Sequence, residues 1–233
     1  SAITSAVSVL DSRLPLDAAA TGRARDVLRR QTEHLRKLVD DLLEVNRALM
    51  GKLTLHTETL DLADIVRRCI DTLQASGRAA AFSLRVELAP APVSADANRL
   101  MQVLDNLLDN VIKYSPDGGP LDVAVRQVAY EVELTVRDHG QGIAPELLPN
   151  VFEVFVQGKQ SLQRAHGGLG IGLSLVRRLV ELHGGSAAIA SPGVGQGTTV
   201  TIRLPRASGE APLAQAPAPE APQRHRRVLL IED

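Results

Sequence analysis

The sequence predicts an α+β protein in which a helical hairpin precedes a two-layer α/β sandwich with a mixed sheet. Apolar residues in the first fifty positions recur every three or four residues, as they do along helices that pack against other helices. From residue 53 onward, segments of period-two alternation are interspersed with amphipathic helical segments. Aromatic residues make up only 2% of a chain that is 44% hydrophobic, so we expect an aliphatic core.

Two helical segments form the predicted hairpin over residues 1–50. The first, SAITSAVSVLDSRL, carries apolar residues at helical spacing. The second runs from about Gly22 to Met50, and Val39 and Leu43 widen its apolar stripe to what a four-helix bundle buries. Two copies of the hairpin are therefore expected to associate as a homodimer. The stripe itself has coiled-coil spacing and consists of Leu28, Gln31, Leu35, Leu38, Leu42, Val45 and Leu49.

Both ends of the sequence predict that it is part of a longer chain. At 1.5 Å per residue the second helix is about 40 Å long and the first only about 20 Å, so half of the longer helix would lack a partner. We therefore expect the first helix to begin before Ser1. Residues 207–225 are rich in Pro and Ala and predict a linker. RRVLLIED, over 226–233, predicts the first strand of a further domain that is cut at Asp233.

The sandwich is predicted over residues 53–206. LTLHTETLDL is a strand that leads to Asp61, a suitable N-cap for the helix DLADIVRRCIDTLQ. A second helix is expected from Asn98 to Tyr114, and a third, SLVRRLVEL, follows a glycine-rich loop. The remaining strands alternate with period two or close the domain as a pair; they are FSLRVEL, LDVAVRQV, EVELTVRD, SAAIAS and TTVTIRLP.

Composition excludes several classes of protein. A formal net charge of −1 provides no field that would attract nucleic acid or an anionic membrane, and we expect neither partner for this segment. No apolar run reaches the length of a membrane span, and no signal peptide opens the sequence. Cys69 is the single cysteine and is expected to be a small core residue, which excludes disulfides and thiolate zinc sites. A cytoplasmic location is expected.

The helix from Asn98 to Tyr114 carries a polar face of unusual composition. Asn106, Asn110 and Lys113 fall within an arc of about 60°. Asn is a poor residue for a helix interior, and Glu or Lys would serve a solvated face better. Two Asn four residues apart offer neutral oxygens to a hard cation such as Mg²⁺, and a Lys one turn on can meet phosphate. An ordinary polar face accounts for the same residues, and the pattern alone leaves both interpretations open.

The segment VRDHGQGI places a carboxylate at the end of a strand. Asp138 ends the predicted strand, and Gly140 and Gly142 follow it. A carboxylate beside backbone that permits close approach can accept a hydrogen bond from an exocyclic amine such as that of adenine. A tight turn with a solvent-facing Asp is the alternative.

The segment HGGLGIGL is a glycine-rich loop that leads into a helix. Gly168, Gly170 and Gly172 recur every second residue, a pattern that suits backbone amides directed at anionic oxygen. No GxxxxGK[ST] motif occurs in the sequence, and no strand precedes the loop, so a Walker loop and a dinucleotide-binding fingerprint are both excluded. A flexible loop before a helix is the remaining alternative.

Taken together and in this order, these segments resemble the ATP-binding catalytic domain of sensor histidine kinases, which has the Bergerat fold of the GHKL superfamily. NLLDNVIKYS resembles the N box, DHGQGI and GGLGIGL the first two glycine boxes, FEVFVQ the phenylalanine box and GQGTTVTIRLP the closing box. The resemblance covers about residues 53–206. The hairpin resembles the dimerisation and phosphoacceptor domain. RRVLLIED resembles the first strand of a receiver domain, with Glu232 and Asp233 as its acidic pair, so the resemblance is to a hybrid kinase.

The resemblance implies ATP and Mg²⁺ as cofactors and assigns roles on the helix. Asn110 would ligate Mg²⁺, with Asn106 beside it. Lys113 would approach the phosphates, and Tyr114 would lie near the nucleotide. Asp138 would accept a hydrogen bond from the adenine amine.

The glycine segments take further implied roles. Gly140 and Gly142 would shape the nucleotide pocket, and Thr199 would line its floor. Residues 156–169 would form a lid over ATP with Phe152 and Phe155 at its hinge. The phosphate-facing end of that lid would be Gly168, Gly170 and Gly172. Lys159 and Arg164 are cations within the lid, without a fixed place in the motif.

The phosphoacceptor motif of the family, H-E-x-x-x-P, is not present in this sequence. None of the six histidines is followed by an acidic residue. The resemblance therefore implies that the acceptor lies upstream of Ser1, and that this chain alone binds Mg-ATP and dimerises without phosphorylating itself. In the intact protein the γ-phosphoryl group would pass to that histidine and then to an aspartate, in a receiver of the same chain or in a response regulator.

Two other functions stay open at this level. One is an ATP-hydrolysing protein of the same superfamily, of the mismatch-repair or chaperone type. Those proteins use a Glu as general base where this sequence has Asn106. The other is a non-catalytic dimeric scaffold that binds nucleotide only as a structural ligand.

Overall fold

A computed structural model describes residues 18–49, 53–156 and 170–207 of the chain. The expected first helix, most of the expected lid, nearly all of the linker and the expected receiver strand lie outside the described residues. In chain order, the helices and strands are α1 (Ala18–Leu49), β1 (Glu58–Asp61), α2 (Leu62–Ala75), β2 (Phe82–Leu88), β3 (Pro92–Ala95), α3 (Ala97–Tyr114), β4 (Gly119–Val128), β5 (Glu131–Asp138), α4 (Gly172–Leu182), β6 (Ser186–Ala190) and β7 (Thr198–Pro205), with a short 3₁₀ turn at Leu148–Asn150.

The predicted mixed sheet is confirmed. Its five strands lie in the order β2-β4-β5-β7-β6. β2 and β4 pair in parallel, and the other neighbours are antiparallel. A separate two-stranded antiparallel sheet joins β1 to β3. β3 was not predicted, because four residues that begin with a proline are too short to show a period-two pattern.

The core lies between one face of the five-stranded sheet and helices α2, α3 and α4. Alternate residues of the central strands point into it, as the period-two patterns require. Each helix contributes the apolar side of an amphipathic segment. The buried hydrophobic side chains are Leu, Ile, Val, Ala and the one Cys, so the expected aliphatic core is confirmed for the described residues.

Cys69 belongs to this core, as expected. Its thiol is buried in α2, and burial raises its pKa to about 11, with the charge of Asp105 adding to the rise. The thiol is therefore protonated at neutral pH and unreactive.

Helix α1 is long and presents apolar side chains to solvent. It contacts α4, and Ala24 in its first third is buried. Farther along, side chains of its predicted stripe are between 42% and 58% exposed; these are Leu35, Val39, Leu42 and Leu43. Among the helices of the described residues, none has the length and apolar character needed to cross a membrane.

The predicted N-cap of α2 is confirmed and does more than close the helix. Oδ1 of Asp61 accepts hydrogen bonds from the Ala63 amide at 2.9 Å and from the Ala91 amide at 2.9 Å. The Leu62 amide donates to the Ala91 carbonyl at 2.9 Å. One carboxylate therefore fixes the start of α2 against the segment that leads into β3 and α3.

We predict that Asp61→Ala lowers the free energy of unfolding by about 1–2 kcal/mol, because two backbone amides lose their acceptor. Asp61→Asn should lose less, since an amide oxygen can still accept both bonds. Asp64→Ala is the matched control, because Asp64 lies in the same first turn but its carboxylate pairs with the exposed side chain of Arg67. Urea denaturation measures all three. An Asp61→Ala variant as stable as Asp64→Ala would contradict the prediction.

Candidate functional site

The start of α3 is held by a buried carboxylate. Oδ1 of Asp96 accepts hydrogen bonds from the Asn98 amide at 3.1 Å and the Arg99 amide at 3.2 Å, and Oδ2 accepts from the His56 amide at 3.0 Å. Burial pushes the pKa of this carboxyl up, but the three N–H donors prevail and hold it below its ordinary value. The helix that carries the polar face is therefore anchored at its first residue.

The two asparagines of the polar face are set into the protein surface. Asn106 is buried, and its amide nitrogen donates to the Gln102 carbonyl at 2.9 Å. The amide nitrogen of Asn110 is also buried, yet it has no hydrogen-bond partner among the described residues. A solvated polar face does not leave a buried amide unpaired, because such a group costs about 1–3 kcal/mol. The orphaned amide indicates a site for a ligand that completes its bonding.

The donor set at this position suits magnesium held together with phosphate. The described residues contain no cluster of three or more His, Cys, Asp or Glu side chains that would form a metal cage of protein ligands. Mg²⁺ does not need one, since it is commonly bound by one or two protein oxygens while phosphates and water supply the rest. The Asn110 side chain therefore fits a Mg-nucleotide rather than a bare metal ion.

Lys113 and Tyr114 lie at the other end of α3. The Lys113 ammonium sits over the Tyr114 ring, 4.8 Å from its centroid. The Ser115 amide closes the helix by donating to the Val111 carbonyl at 2.9 Å. Both side chains are partly exposed, so the cation is held in place by the ring while it stays accessible to an anion.

Asp138 is a buried carboxylate at the end of β5. Its Oδ1 accepts hydrogen bonds from the Gly140 amide at 2.8 Å and from the Ser115 hydroxyl at 3.4 Å. The Thr198 amide also donates to the carboxylate. Burial nevertheless raises the pKa of this carboxyl above its ordinary value, and the three donors offset the rise only in part. A solvent-facing turn residue, the alternative considered above, would not be buried, so that alternative is excluded.

Gly140 permits the contact that joins the strand to the helix. A Cβ at this position would lie 2.1 Å from Ser115 Oγ and 2.4 Å from the Tyr114 carbonyl oxygen. The Gln141 amide donates to the same carbonyl at 2.9 Å. Only a glycine allows the turn after β5 to lie against the end of α3, which brings Asp138 within hydrogen-bond distance of Ser115, the residue that follows Tyr114.

Gly142 permits a second close approach. Its φ is +61°, and a Cβ there would lie 2.1 Å from the Gly193 carbonyl oxygen. The turn after β5 is thereby packed against the loop between β6 and β7. Gly140 and Gly142 therefore both determine the path of the backbone around Asp138.

The glycines before α4 are brought to the same region. Gly172 is the first residue of α4, and a Cβ there would lie 3.1 Å from Asn106 Oδ1. Gly170 has a φ of +73°, and its carbonyl accepts a hydrogen bond from the Phe155 amide at 3.2 Å. The positive end of the α4 dipole therefore faces the polar side of α3, which is a suitable position for phosphate.

The expected lid is only partly within the described residues. Gly168, Lys159 and Arg164 lie outside them. At the expected hinge, the guanidinium of Arg177 lies 5.7 Å from the centroid of the Phe152 ring. Phe155 is 61% exposed and has a φ of +68°.

The strand register places Thr199 on the face of the sheet opposite to Asp138. The register pairs Asp138 with Thr198 and Arg137 with Thr199. Because successive strand residues point to opposite faces, Thr199 lies with Arg137 on the outer face of the sheet. Both residues line a groove of about 340 Å³, to which Thr198 also contributes. The sequence did contain a signal for this, since counting back in steps of two from the core residue Ile202 reaches Thr198.

Two contributors were missed by sequence reasoning. Thr198 supports the Asp138 carboxylate through its amide, and Ser115 does so through its hydroxyl. Ser115 follows the last residue of α3 and is buried. Nothing in its local sequence distinguishes it from an ordinary helix-ending serine.

Several known proteins are similar to this chain. Residues 95–208 match the model of the family described as "Histidine kinase-, DNA gyrase B-, and HSP90-like ATPase". The circadian input-output histidine kinase CikA of Synechococcus elongatus is 33% identical over 86% of this chain and 27% of its own length. The hybrid signal transduction histidine kinase D of Dictyostelium discoideum is 32% identical over 77% of this chain and 12% of its own length. The chain thus spans well under a third of these two relatives.

Solved structures are similar as well. A mycobacterial sensor histidine kinase, MprB, is 31% identical over 64% of this chain and 98% of its own, with a TM-score of 0.58. Full-length ShkA, whose structure was determined in complex with AMPPNP, is 26% identical over 91% of this chain and 44% of its own, with a TM-score of 0.70.

We predict that Asp138→Asn separates stability from nucleotide binding. ATP affinity should fall about ten- to hundred-fold, because a charged acceptor is lost and the new amide group presents N–H to the adenine amine. The thermal midpoint at pH 7 should rise, since the raised pKa of Asp138 means that its buried charge destabilises the fold above that pKa. This gain should vanish as the pH falls through the raised pKa, because wild-type Asp138 is then neutral.

Calorimetric titration with ATP and thermal melts between pH 4 and 7 measure these effects. Asp122→Asn is the control, because Asp122 lies on the outer face of the sheet, 4.0 Å from Arg85. Unchanged ATP affinity in Asp138→Asn would rule out the adenine-binding role.

Proposed function

We propose that this chain, which belongs to the sensor histidine kinase family, is the ATP-binding kinase core of a hybrid two-component kinase. In the full-length protein the core transfers the γ-phosphoryl group of ATP to a histidine, and the group then passes to a receiver aspartate. The observation that carries the proposal is the buried, unpaired amide of Asn110, which lies on the same helix as Asn106 and thus near the start of α4. No protein group among the described residues accepts a hydrogen bond from this nitrogen, and a phosphate oxygen of a Mg-nucleotide would accept it.

The proposed roles follow from the contacts of each side chain. Asn110 would bind Mg²⁺ through its amide oxygen. Asn106 contacts the start of α4 and keeps it at a fixed distance from α3. Lys113, oriented by Tyr114, meets phosphate oxygens. When bound, Mg²⁺ supplies neutralisation of the charge on the transferred phosphoryl group. The chain itself contributes positioning and electrostatic stabilisation.

The adenine end of the site is proposed at Asp138. The carboxylate is held by Gly140, Ser115 and Thr198, and it accepts the exocyclic amine. Gly140 and Gly142 shape the backbone around it, and the amides of Gly170 and Gly172 face the phosphates. The family resemblance extends this role to Gly168, which lies outside the described residues. Thr198, rather than Thr199, is proposed to support the floor of the pocket.

A homodimer is proposed through α1. Four apolar side chains of α1 form a solvent-exposed surface whose burial would be favourable; they are Leu35, Val39, Leu42 and Leu43. A second copy of the same helix would bury them in a four-helix bundle. The match to a hybrid kinase supports a receiver domain as the further partner. We also propose a cytoplasmic location, because the substrate is ATP and Cys69 is a free thiol.

Kinase chemistry is favoured over ATP hydrolysis by the character of Asn106. Its side chain is neutral, and its nitrogen is already committed to the Gln102 carbonyl at 2.9 Å. An amide cannot take a proton from an attacking water, so the chain has no general base at the position where the hydrolysing relatives carry Glu.

We predict that Asn110→Ala abolishes Mg-ATP binding, with a rise in Kd of at least about 100-fold, because a metal ligand and a buried amide are both lost. Its free energy of unfolding should not fall, since the amide has no partner among the described residues. Isothermal titration at constant Mg²⁺ measures affinity. Asn98→Ala, on the exposed side of the same helix, is the control. Undiminished affinity of Asn110→Ala would refute the metal role.

The proposed kinase activity is tested on the full-length protein. We expect incubation with γ-labelled ATP and Mg²⁺ to give a phosphoprotein that is labile in acid and stable in alkali, as phosphohistidine is. Asn110→Ala in the same protein should incorporate no label. Absence of label in the wild-type protein, when it binds ATP, would leave the nucleotide-binding scaffold as the function.

A further inference from the structure

His183 is buried at the end of α4 and bonds to two different helices. Its Nδ1 lies 2.7 Å from the Leu179 carbonyl oxygen, within α4. Its Nε2 lies 3.1 Å from the amide nitrogen of Asp96, at the start of α3. A carbonyl can only accept and an amide N–H can only donate, so the ring is neutral, with its proton on Nδ1 and an acceptor at Nε2.

Two contacts mark the ends of the packing between α3 and α4, and the bond from the Asp96 amide to His183 is one of them. The other is the contact between Gly172 and Asn106, where a Cβ on Gly172 would lie 3.1 Å from Asn106 Oδ1. Along α4, Gly172 to His183 spans about 16 Å, and along α3, Asp96 to Asn106 spans about 15 Å. The helices pack against each other. They therefore run antiparallel, and the two contacts lie at the ends of helical segments of nearly equal length.

The two contacts differ in which movements of the helices they prevent. The Gly172 contact is a steric one, and it prevents approach but does not prevent sliding. The hydrogen bond from the Asp96 amide to His183 is directional and crosses between the helices. Asp96 is itself immobilised, because its carboxylate accepts three backbone N–H bonds.

We propose that His183 is a positioning residue for nucleotide binding. Its bond to the Asp96 amide sets the register of α4 against α3, and that register places the amides at the start of α4 beside Asn106 and Asn110. This inference rests on the proposed nucleotide-binding function. Loss of the bond lets α4 shift along α3 and separates the phosphate-facing amides from the metal-binding asparagine.

Two substitutions separate the bond between helices from the bond within α4. In His183→Gln, the longer amide places its oxygen where Nε2 stood and still accepts from the Asp96 amide. In His183→Asn, the shorter amide reaches only the Nδ1 position and donates to the Leu179 carbonyl. His56→Asn is the control for loss of a histidine, because the His56 side chain is exposed.

The readout is Kd for AMPPNP with Mg²⁺, measured by calorimetry on the 233-residue chain below the thermal midpoint of each variant. We expect Kd to rise at least about ten-fold in His183→Asn and to stay within about three-fold of wild type in His183→Gln, since only the latter keeps the acceptor for Asp96. Equal affinity in wild type and His183→Asn, or equal loss in both variants, would overturn the proposal.

A second measurement needs no variant. Because coupling between two sites is reciprocal, Mg-AMPPNP should slow hydrogen exchange of the Asp96 amide in the wild-type chain. The Ala89 amide, which donates to Val125 at 3.0 Å beside the sheet edge, is the reference and should change less. Equal changes at the two amides would overturn the inference even if His183→Asn does not fold. A wild-type chain that binds no Mg-AMPPNP would instead overturn the proposed function, and this inference with it.

Discussion

The site depends on the contact between the turn after β5 and the end of α3. A hydrogen atom is all that fits on Gly140 at the place where the Ser115 hydroxyl and the Tyr114 carbonyl approach it. Through this contact the Asp138 carboxylate on the sheet lies against Ser115, at the end of the helix that carries Lys113. The polar groups proposed to bind adenine and those proposed to bind the phosphates then belong to one surface. Without the contact at Gly140, these residues would lie on two elements whose relative position is not fixed.

The buried polar residues of this aliphatic domain are confined to that surface and to the helix ends that position it. Within the described residues they are Asp96, Asn106, Ser115, Asp138 and His183. Asp96 and His183 hold helix ends, whereas Ser115 supports the carboxylate at the end of β5. Burying a polar group is unfavourable unless it is bonded, and all five have partners. The Asn110 nitrogen stands apart as the buried amide that the described protein groups leave unpaired.

Much of this architecture follows from local patterns. The bounds of α2, α3 and the central strands could be predicted because each element buries one face, so its apolar residues recur with the period of the element. β3 escaped prediction because it is short. The choice between Thr198 and Thr199 depends on the register of two strands, which must be counted from the buried residues. The hydrogen bond from the Asp96 amide to His183 joins residues 87 positions apart, and no sequence pattern within either helix predicts it.

The parallel pairing of β2 with β4 has a consequence for how the chain reaches this structure. Two parallel neighbours cannot be joined by a tight turn, and here the connection between them contains β3 and α3. The edge strand can therefore pair with β4 only when the segment that contains α3 has crossed the sheet, which makes this pairing a non-local step. The helix that carries the asparagines is thus an early requirement of folding as well as of binding. Substitutions on its buried face should slow the folding rate, and those on its polar face should leave that rate unchanged.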